Sequence, residues 1–277
     1  MADNRRRVSR KLYTSNANKL IRGNAGSIWR MLYTVISQGD AARLDEILTE
    51  AESKGANALK NLNYTNPSFS SSMFNDKNNL LMISIMETPR NDAAALQGYR
   101  DTIATLLRHD VDVNYQNKKG NTVLHMILNG YGPDETPHDI LDNIDMDVLQ
   151  MVLDAGADPS LQNNNGRTAL SELLFITNAA TPADKQKVED IVNLLLQRGW
   201  NPMLEEGRYH PLAIAEREGL TRVADILRAY QEQYKKNHPS PNVNMSNSSR
   251  GGRRKTRRGR KSRKGRKGSH AKKTHRN

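Results

Sequence analysis

The chain contains no cysteine, no long apolar run and none of the short motifs that usually carry catalysis. Without cysteine there are no disulfides, no thiolate metal sites and no thiol nucleophile, a usage that suits a reducing compartment. The best apolar stretch, LLMISIM at residues 80–86, falls well short of the roughly 18–20 residues of a membrane span. The opening residues lack the apolar core of a secretory signal, so secretion is not expected; their Arg-rich, acid-poor composition is shared with mitochondrial presequences. There is no Gly-x-Ser-x-Gly elbow, no glycine loop to cradle phosphate and no helical pair of histidines to hold zinc. An enzyme is therefore not expected, and neither a metal nor a cofactor is implied. Six carboxylates do gather in PDETPHDILDNIDMD: Asp134, Glu135, Asp139, Asp142, Asp145 and Asp147. They lack the spacing and central glycine of a calcium loop, and read as a solvated loop.

What is present is sharply divided by charge. Residues 1–22 hold seven Lys/Arg and one acid, and residues 237–277 hold fifteen Lys/Arg and no acid. The stretch between them has twenty basic and twenty-nine acidic residues, a net charge of −9. The overall +12 and the pI near 9.9 thus describe the two ends of the chain rather than its body. The body, with most of the 36% hydrophobic residues of the 277-residue chain, is long enough to bury a core.

Within that body a phrase is written twice. HDVDVNYQNKKGNTVLH, residues 109–125, returns as DAGADPSLQNNNGRTALS, residues 154–171. Asp110 and Gly156 hold the same place, followed ten residues later by Gly120 and Gly166, then by Thr122 and Thr168, then by Leu124 and Leu170. Ahead of each phrase lies an amphipathic helical pattern: Ile103, Leu106 and Leu107 before the first, Val148, Val152 and Leu153 before the second. A third such helix carries Val188, Ile191, Val192, Leu195 and Leu196 on one stripe. Each pattern ends in a residue that tolerates the left-handed conformation, namely Asp110, Gly156 and Gly199. Each threonine is placed to cap a second, shorter apolar helix, and the Asn- and Gly-rich stretch between the helices has the chemistry of a tight reversal. The unit is a helix pair with a projecting turn. One pair cannot bury its own apolar stripe, so copies must stack.

These residues resemble the ankyrin repeat: leucines ending an outer helix, Gly-Ala-Asp-x-Asn, a β-turn finger, Gly-x-Thr-Pro-Leu-His and an inner helix. LLRHDVDVNYQNKKGNTVLH and VLDAGADPSLQNNNGRTALS follow that order, and LLQRGWNPMLEEGRYHPLAIA, residues 195–215, is an irregular third copy. Residues 78–86 look like a degenerate inner helix, and residues 29–57, with Leu44, Ile47 and Leu48, like a starting repeat. The resemblance implies an all-α ankyrin-repeat solenoid of about five helix-pair units over residues 28–236, preceded by a basic segment over 1–27. The chain departs from the family in spacing. Thr122 to Thr168 is 46 residues and Thr168 to His210 is 42, against a repeat of about 33. The surplus is expected as extended inter-helix loops at 87–98, 130–146 and 176–187, on the edge opposite the fingers, as a second binding edge or as tolerated surface growth.

The resemblance also implies a function, a non-enzymatic scaffold or adaptor that grips a protein partner through its finger tips and inner helices, and the chain is expected to be a monomer. On matching positions the contact residues would be Tyr115, Lys118, Lys119 and Asn121, then Asn164, Asn165 and Arg167, then Glu205, Arg208 and Tyr209. His125 would be structural, bonding the neighbouring finger.

The C-terminal segment, 237–277, has no periodic apolar residue and is rich in Ser, Gly, Asn and like charge. That composition cannot offset the entropy of ordering, and a disordered tail is expected. Its core is a run of Arg253, Arg254, Lys255, Arg257, Arg258, Arg260, Lys261, Arg263, Lys264, Arg266 and Lys267. Such a run can neutralise phosphates without reading sequence, or serve as a nuclear address read by an importin. DNA, RNA and an import receptor all remain open as its partner. An alternative function follows, in which the tail binds nucleic acid and the solenoid is a tether. The expected location is the nucleus or cytoplasm. An acidic body with a short basic tail is also similar to ankyrin proteins of large double-stranded DNA viruses, which would make the location a host cell. No amphipathic helix follows residue 236, so the F-box-like module that ends some poxviral relatives is not expected.

Overall fold

The computed structural model describes residues 25–53, 76–87, 93–129, 140–177, 179, 181–205 and 207–238. Among these residues every regular element is helical. They fall into five pairs: α1 (Ala25–Ser37) with α2 (Ala41–Ser53), α3 (Leu80–Met86) with α4 (Ala93–Arg108), and α5 (Val123–Leu128) with α6 (Ile140–Asn143) and α7 (Met146–Asp154). The last two pairs are α8 (Ala169–Ile176) with α9 (Pro182–Gln197) and α10 (Pro211–Arg217) with α11 (Thr221–Asn237).

The pairs stack in order. The first helices form one layer, in which α1 packs on α3, α3 on α5, α5 on α8 and α8 on α10. The second helices form another, with α2 on α4, α4 on α7 and α9 on α11. The inner helices α3, α5 and α8 are buried over most of their surface, so they show continuous apolar runs; six consecutive residues of α5 are buried. Outer helices keep one face in solvent and so show the stripe. Val188, Ile191, Val192, Leu195 and Leu196 are all buried, as are Ile103, Leu106, Val148, Val152 and Leu153. The stretch with the weakest likeness, residues 78–86, is a true inner helix: Asn79 caps it, its Oδ1 accepting the Met82 N–H at 2.9 Å.

The outer helices end as the repeat dictates. Asp110, Gly156 and Gly199 have φ of 55°, 91° and 84°, the left-handed conformation that stops the helix and turns the chain into a finger. After Gly199 stands Trp200, where the other units have Val111 and Ala157. Its ring is buried at the end of the stack beside Tyr230 of the last helix, and the Tyr230 hydroxyl donates to the Trp200 carbonyl at 3.0 Å.

The surplus residues are placed differently from the expected loops. Residues 93–98 lie in α4, and residues 182–187 form the first turns of α9, where Thr181 and Asp184 make a reciprocal capping box ahead of Pro182. Much of the insertion therefore lengthens outer helices, with helix-forming residues at the start of α4 and a capping box at the start of α9. In the 130–146 insertion Ile140, Leu141 and Ile144 are buried, so this part is packed on the stack. Two of the six carboxylates in and beside it are engaged too. Asp145 caps α7 and takes both forks of Arg100 from the preceding unit, at 2.7 and 2.9 Å, while Asp147 meets the same guanidinium at 2.8 Å. Lys187 has Asp142 and Asp145 as neighbours; burial nonetheless sets its pKa below the ordinary lysine value. No cluster able to hold a metal ion occurs among the described residues. Residues 88–92 and 130–139, with Asp134, Glu135 and Asp139, lie outside them, as do the basic segments 1–24 and 239–277.

Candidate interaction surface

The fingers are joined to one another by equivalent hydrogen bonds with a stride of 46 and then 42 residues. Gln116 Nε2 donates to the carbonyls of Gly120 and, one finger on, Gln162. Gln162 Nε2 repeats this with Gly166 and Leu204. The stride identifies equivalent positions, placing Asn117, Asn163 and Glu205 in one register and Asn121, Arg167 and Tyr209 in another.

Asn117 and Asn163 are buried, and both the oxygen and the nitrogen of each amide are hydrogen-bonded. Asn163 Nδ2 donates to Asn121 Oδ1 at 3.0 Å and to Glu172 Oε1 at 2.7 Å, while its Oδ1 accepts from the backbone of Asn165 and Arg167. Asn117 reaches back to Asn78 in the same way, at 2.8 Å, and its Oδ1 accepts from Lys119 and Asn121. These two asparagines shape the turns and tie each finger to the unit before it. Sequence reasoning passed over them as ordinary turn residues. The signal was the Gln-Asn pair, spelled identically in both copies four and three residues before the glycine.

The fingers also approach closely. Asn164 N–H donates to the Lys119 carbonyl at 3.0 Å, and its side chain to the Lys118 carbonyl at 2.9 Å. A Cβ on Gly120 would stand 2.6 Å from both the Asn164 nitrogen and its Oδ1, and φ there is 75°, so only glycine fits.

At the inner ends, His125 is enclosed. Its Nδ1 accepts the Thr122 N–H at 3.1 Å and its Nε2 lies 3.0 Å from the Arg167 carbonyl, which fixes the proton on Nε2. Burial pushes its pKa down, against the pull of the Arg167 carbonyl and the Glu172 carboxylate. In the next unit the histidine position is Ser171, which is too short to do this. Glu205 comes from the following finger instead, accepting the Thr168 N–H and the Ser171 hydroxyl, each at 2.6 Å. Burial raises the Glu205 pKa, and those donors partly offset the shift.

The residues expected at the tips therefore divide. Lys118, Asn164 and Asn165 are exposed, and so is Lys119, which pairs with Asp76 at 2.7 Å. Tyr115 is half-buried against the core. Asn121 and Glu205 do not project: at 6% and 5% exposure they belong to the bonds between units. Their polar groups are consumed by neighbouring fingers, which a single-residue reading of turn chemistry could not reveal. Arg167 and Tyr209 are half-buried, and they meet Phe175 of α8, a residue the sequence did not single out. The Arg167 guanidinium lies 4.4 Å from the centroids of both rings, which are 6.3 Å apart. Phe175 is 42% exposed; with Met203 and Leu204, at 52% and 41%, it makes the large apolar exposure of the described residues fall in the last two units. The Arg208 side chain and the cations of 253–267 lie outside the described residues.

No protein-family model matches the sequence, and no curated protein matches it either. Among solved structures it is similar to an ankyrin repeat domain from Acinetobacter baumannii AYE, at 18% identity and a TM-score of 0.44, over 72% of this chain and 96% of that one. Five stacked helix pairs, left-handed ends to the outer helices and fingers bonded in register make the described residues a helix-pair solenoid with projecting fingers, the architecture that the resemblance of the sequence to ankyrin repeats implies.

Proposed function

We propose that this chain is a non-enzymatic protein-binding module whose solenoid holds its partner on the finger and inner-helix face. The observation that carries this reading is the finger ladder. Its buried side chains are spent on holding the fingers in register, so the exposed tips at Lys118, Asn164 and Asn165 and the Arg167–Phe175–Tyr209 group stand on a rigid frame. Rigid presentation lowers the entropic cost of association, and Arg, Tyr and Phe are residue types favoured at protein contacts. The test is capture of partners by the full chain and by a Lys118→Glu, Asn164→Asp, Asn165→Asp variant with unchanged melting. Loss of capture supports the finger face. Undiminished capture, together with loss on shortening 130–139, moves the binding surface to the opposite edge.

For the tail the reading rests on sequence alone: fifteen Lys/Arg and no acid over 237–277. We assign it a sequence-blind electrostatic role, with nucleic acid or an import receptor as partner and the nucleus as destination. Affinity for duplex DNA should fall steeply with salt as counterion release is suppressed. A chain ending at 236 should lose nearly all of it. Equal binding by the shortened chain would remove the tail from the account.

A further inference from the structure

Among the described residues of the finger face, the Arg167 guanidinium is held in place and its charge is left unanswered. Two aromatic rings meet its guanidinium at 4.4 Å each, and with 6.3 Å between the rings the three form a nearly right-angled corner. That corner fixes the group without neutralising it. No carboxylate or carbonyl accepts from its side chain among the described residues. Nε is enclosed without an acceptor, whereas the two terminal nitrogens are not enclosed. Two other cations are already matched: Arg217, 5.6 Å from the Phe175 ring, binds Glu218 at 2.7 Å, and Lys119 binds Asp76. Glu205, which reaches the adjoining Thr168, is committed to Thr168 and Ser171.

We propose that this corner, within the binding face assigned above, receives an acidic segment of a partner protein, with one Asp or Glu carboxylate end-on against the terminal nitrogens of Arg167. An adjacent apolar side chain of that segment covers Phe175. The paired donors of a guanidinium match a carboxylate in two parallel hydrogen bonds, and a group already held by packing loses little freedom on making them. The charge count selects the occupant. A guanidinium held without an acceptor complements a single carboxylate, whereas a nucleic-acid backbone calls for several unmatched cations in a row, and Lys119 and Arg217 are already paired. The half-exposed Phe175 ring supplies the apolar contact that such a segment needs beside its charge.

The test selects random twelve-residue peptides displayed on phage against the immobilised full-length chain. The expected peptides carry one Asp or Glu beside a bulky apolar residue. A synthetic copy should lose at least about tenfold in affinity on Arg167→Gln and on Phe175→Ala. Replacing the peptide's own acid by its amide should cost the same on the native chain and almost nothing on Arg167→Gln, which is the mark of a direct pair. Arg167→Lys keeps the charge and loses the fork, so it should recover only part of the binding and serves if Arg167→Gln melts early. Polyacidic peptides that bind the native chain and Arg167→Gln equally would place the interaction on the basic tail and overturn the proposal, as would a selection that yields no peptide. If finger-tip variants abolish partner capture while Arg167→Gln leaves it intact, the binding face stands and this occupant fails.

Discussion

Glu205 Oε1 accepts the backbone N–H of Thr168 at 2.6 Å, the donor that His125 Nδ1 satisfies at the equivalent Thr122 one unit earlier. Two different side chains thus close the same helix start, one from within its unit and one from the next finger. Glu205→Gln keeps an acceptor for Thr168 and Ser171 and removes the buried charge. Because burial raises the Glu205 pKa, its favourable contribution is complete below the unfolded value and is lost as pH rises through the folded one. Glu205→Gln should therefore equal or exceed the native chain in stability at pH 7, with its advantage shrinking in acid. Glu205→Ala should cost about 1–3 kcal/mol through the orphaned donors. Denaturant melts across pH 4 to 8 would decide, and a Gln variant as weak as Ala at neutral pH would count against this account.

His125 has the opposite linkage. Its pKa is depressed by burial, so its contribution is present above the unfolded value and is lost as pH falls through the folded one. His125→Phe should cost about 1–3 kcal/mol at pH 7.5, where it strands the Thr122 N–H and the Arg167 carbonyl. That gap should narrow below about pH 6.5, the ordinary histidine value. A gap independent of pH would mean that the imidazole is not held neutral.

Neighbouring asparagines should behave very differently. Asn163→Ala removes four hydrogen bonds at once, two of them buried, and should cost about 2–4 kcal/mol. Asn164→Ala loses one exposed bond to the Lys118 carbonyl and should cost less than about 1 kcal/mol. Similar melting temperatures for the two variants would refute the ladder as a source of stability.

Packing between units can be measured separately from the fingers. Leu195 and Leu153 are at most 3% exposed, and either change to Ala should cost about 2–5 kcal/mol by leaving a cavity between stacked pairs. Lys118→Glu should stay within about 0.5 kcal/mol. Arg167→Glu, which a projecting tip would tolerate equally well, should cost about 1–2 kcal/mol because it empties the corner between Phe175 and Tyr209.

The residues of this chain specify its units locally. Periodicity places Val188, Ile191, Val192, Leu195 and Leu196 on one stripe, and Asp110, Gly156 and Gly199 mark where helices stop, because both signals depend on the geometry of a single helix and its end. The need for stacking also follows from sequence, since one helix pair cannot bury its own stripe. Which finger residues remain available to a partner depends on the next unit, 42 or 46 residues away, and no local pattern contains that distance. Asn121 and Glu205 have the composition of exposed turn residues, yet each is buried by bonds to a neighbour. Phe175 continues an apolar inner helix in sequence but emerges at the surface beside Arg167 and Tyr209. Helix-pair identity is a short-range property set by rotamers, caps and burial within tens of residues. The finger surface is made only where separate units meet, so tertiary structure alone decides which side chains it consumes and which it leaves open.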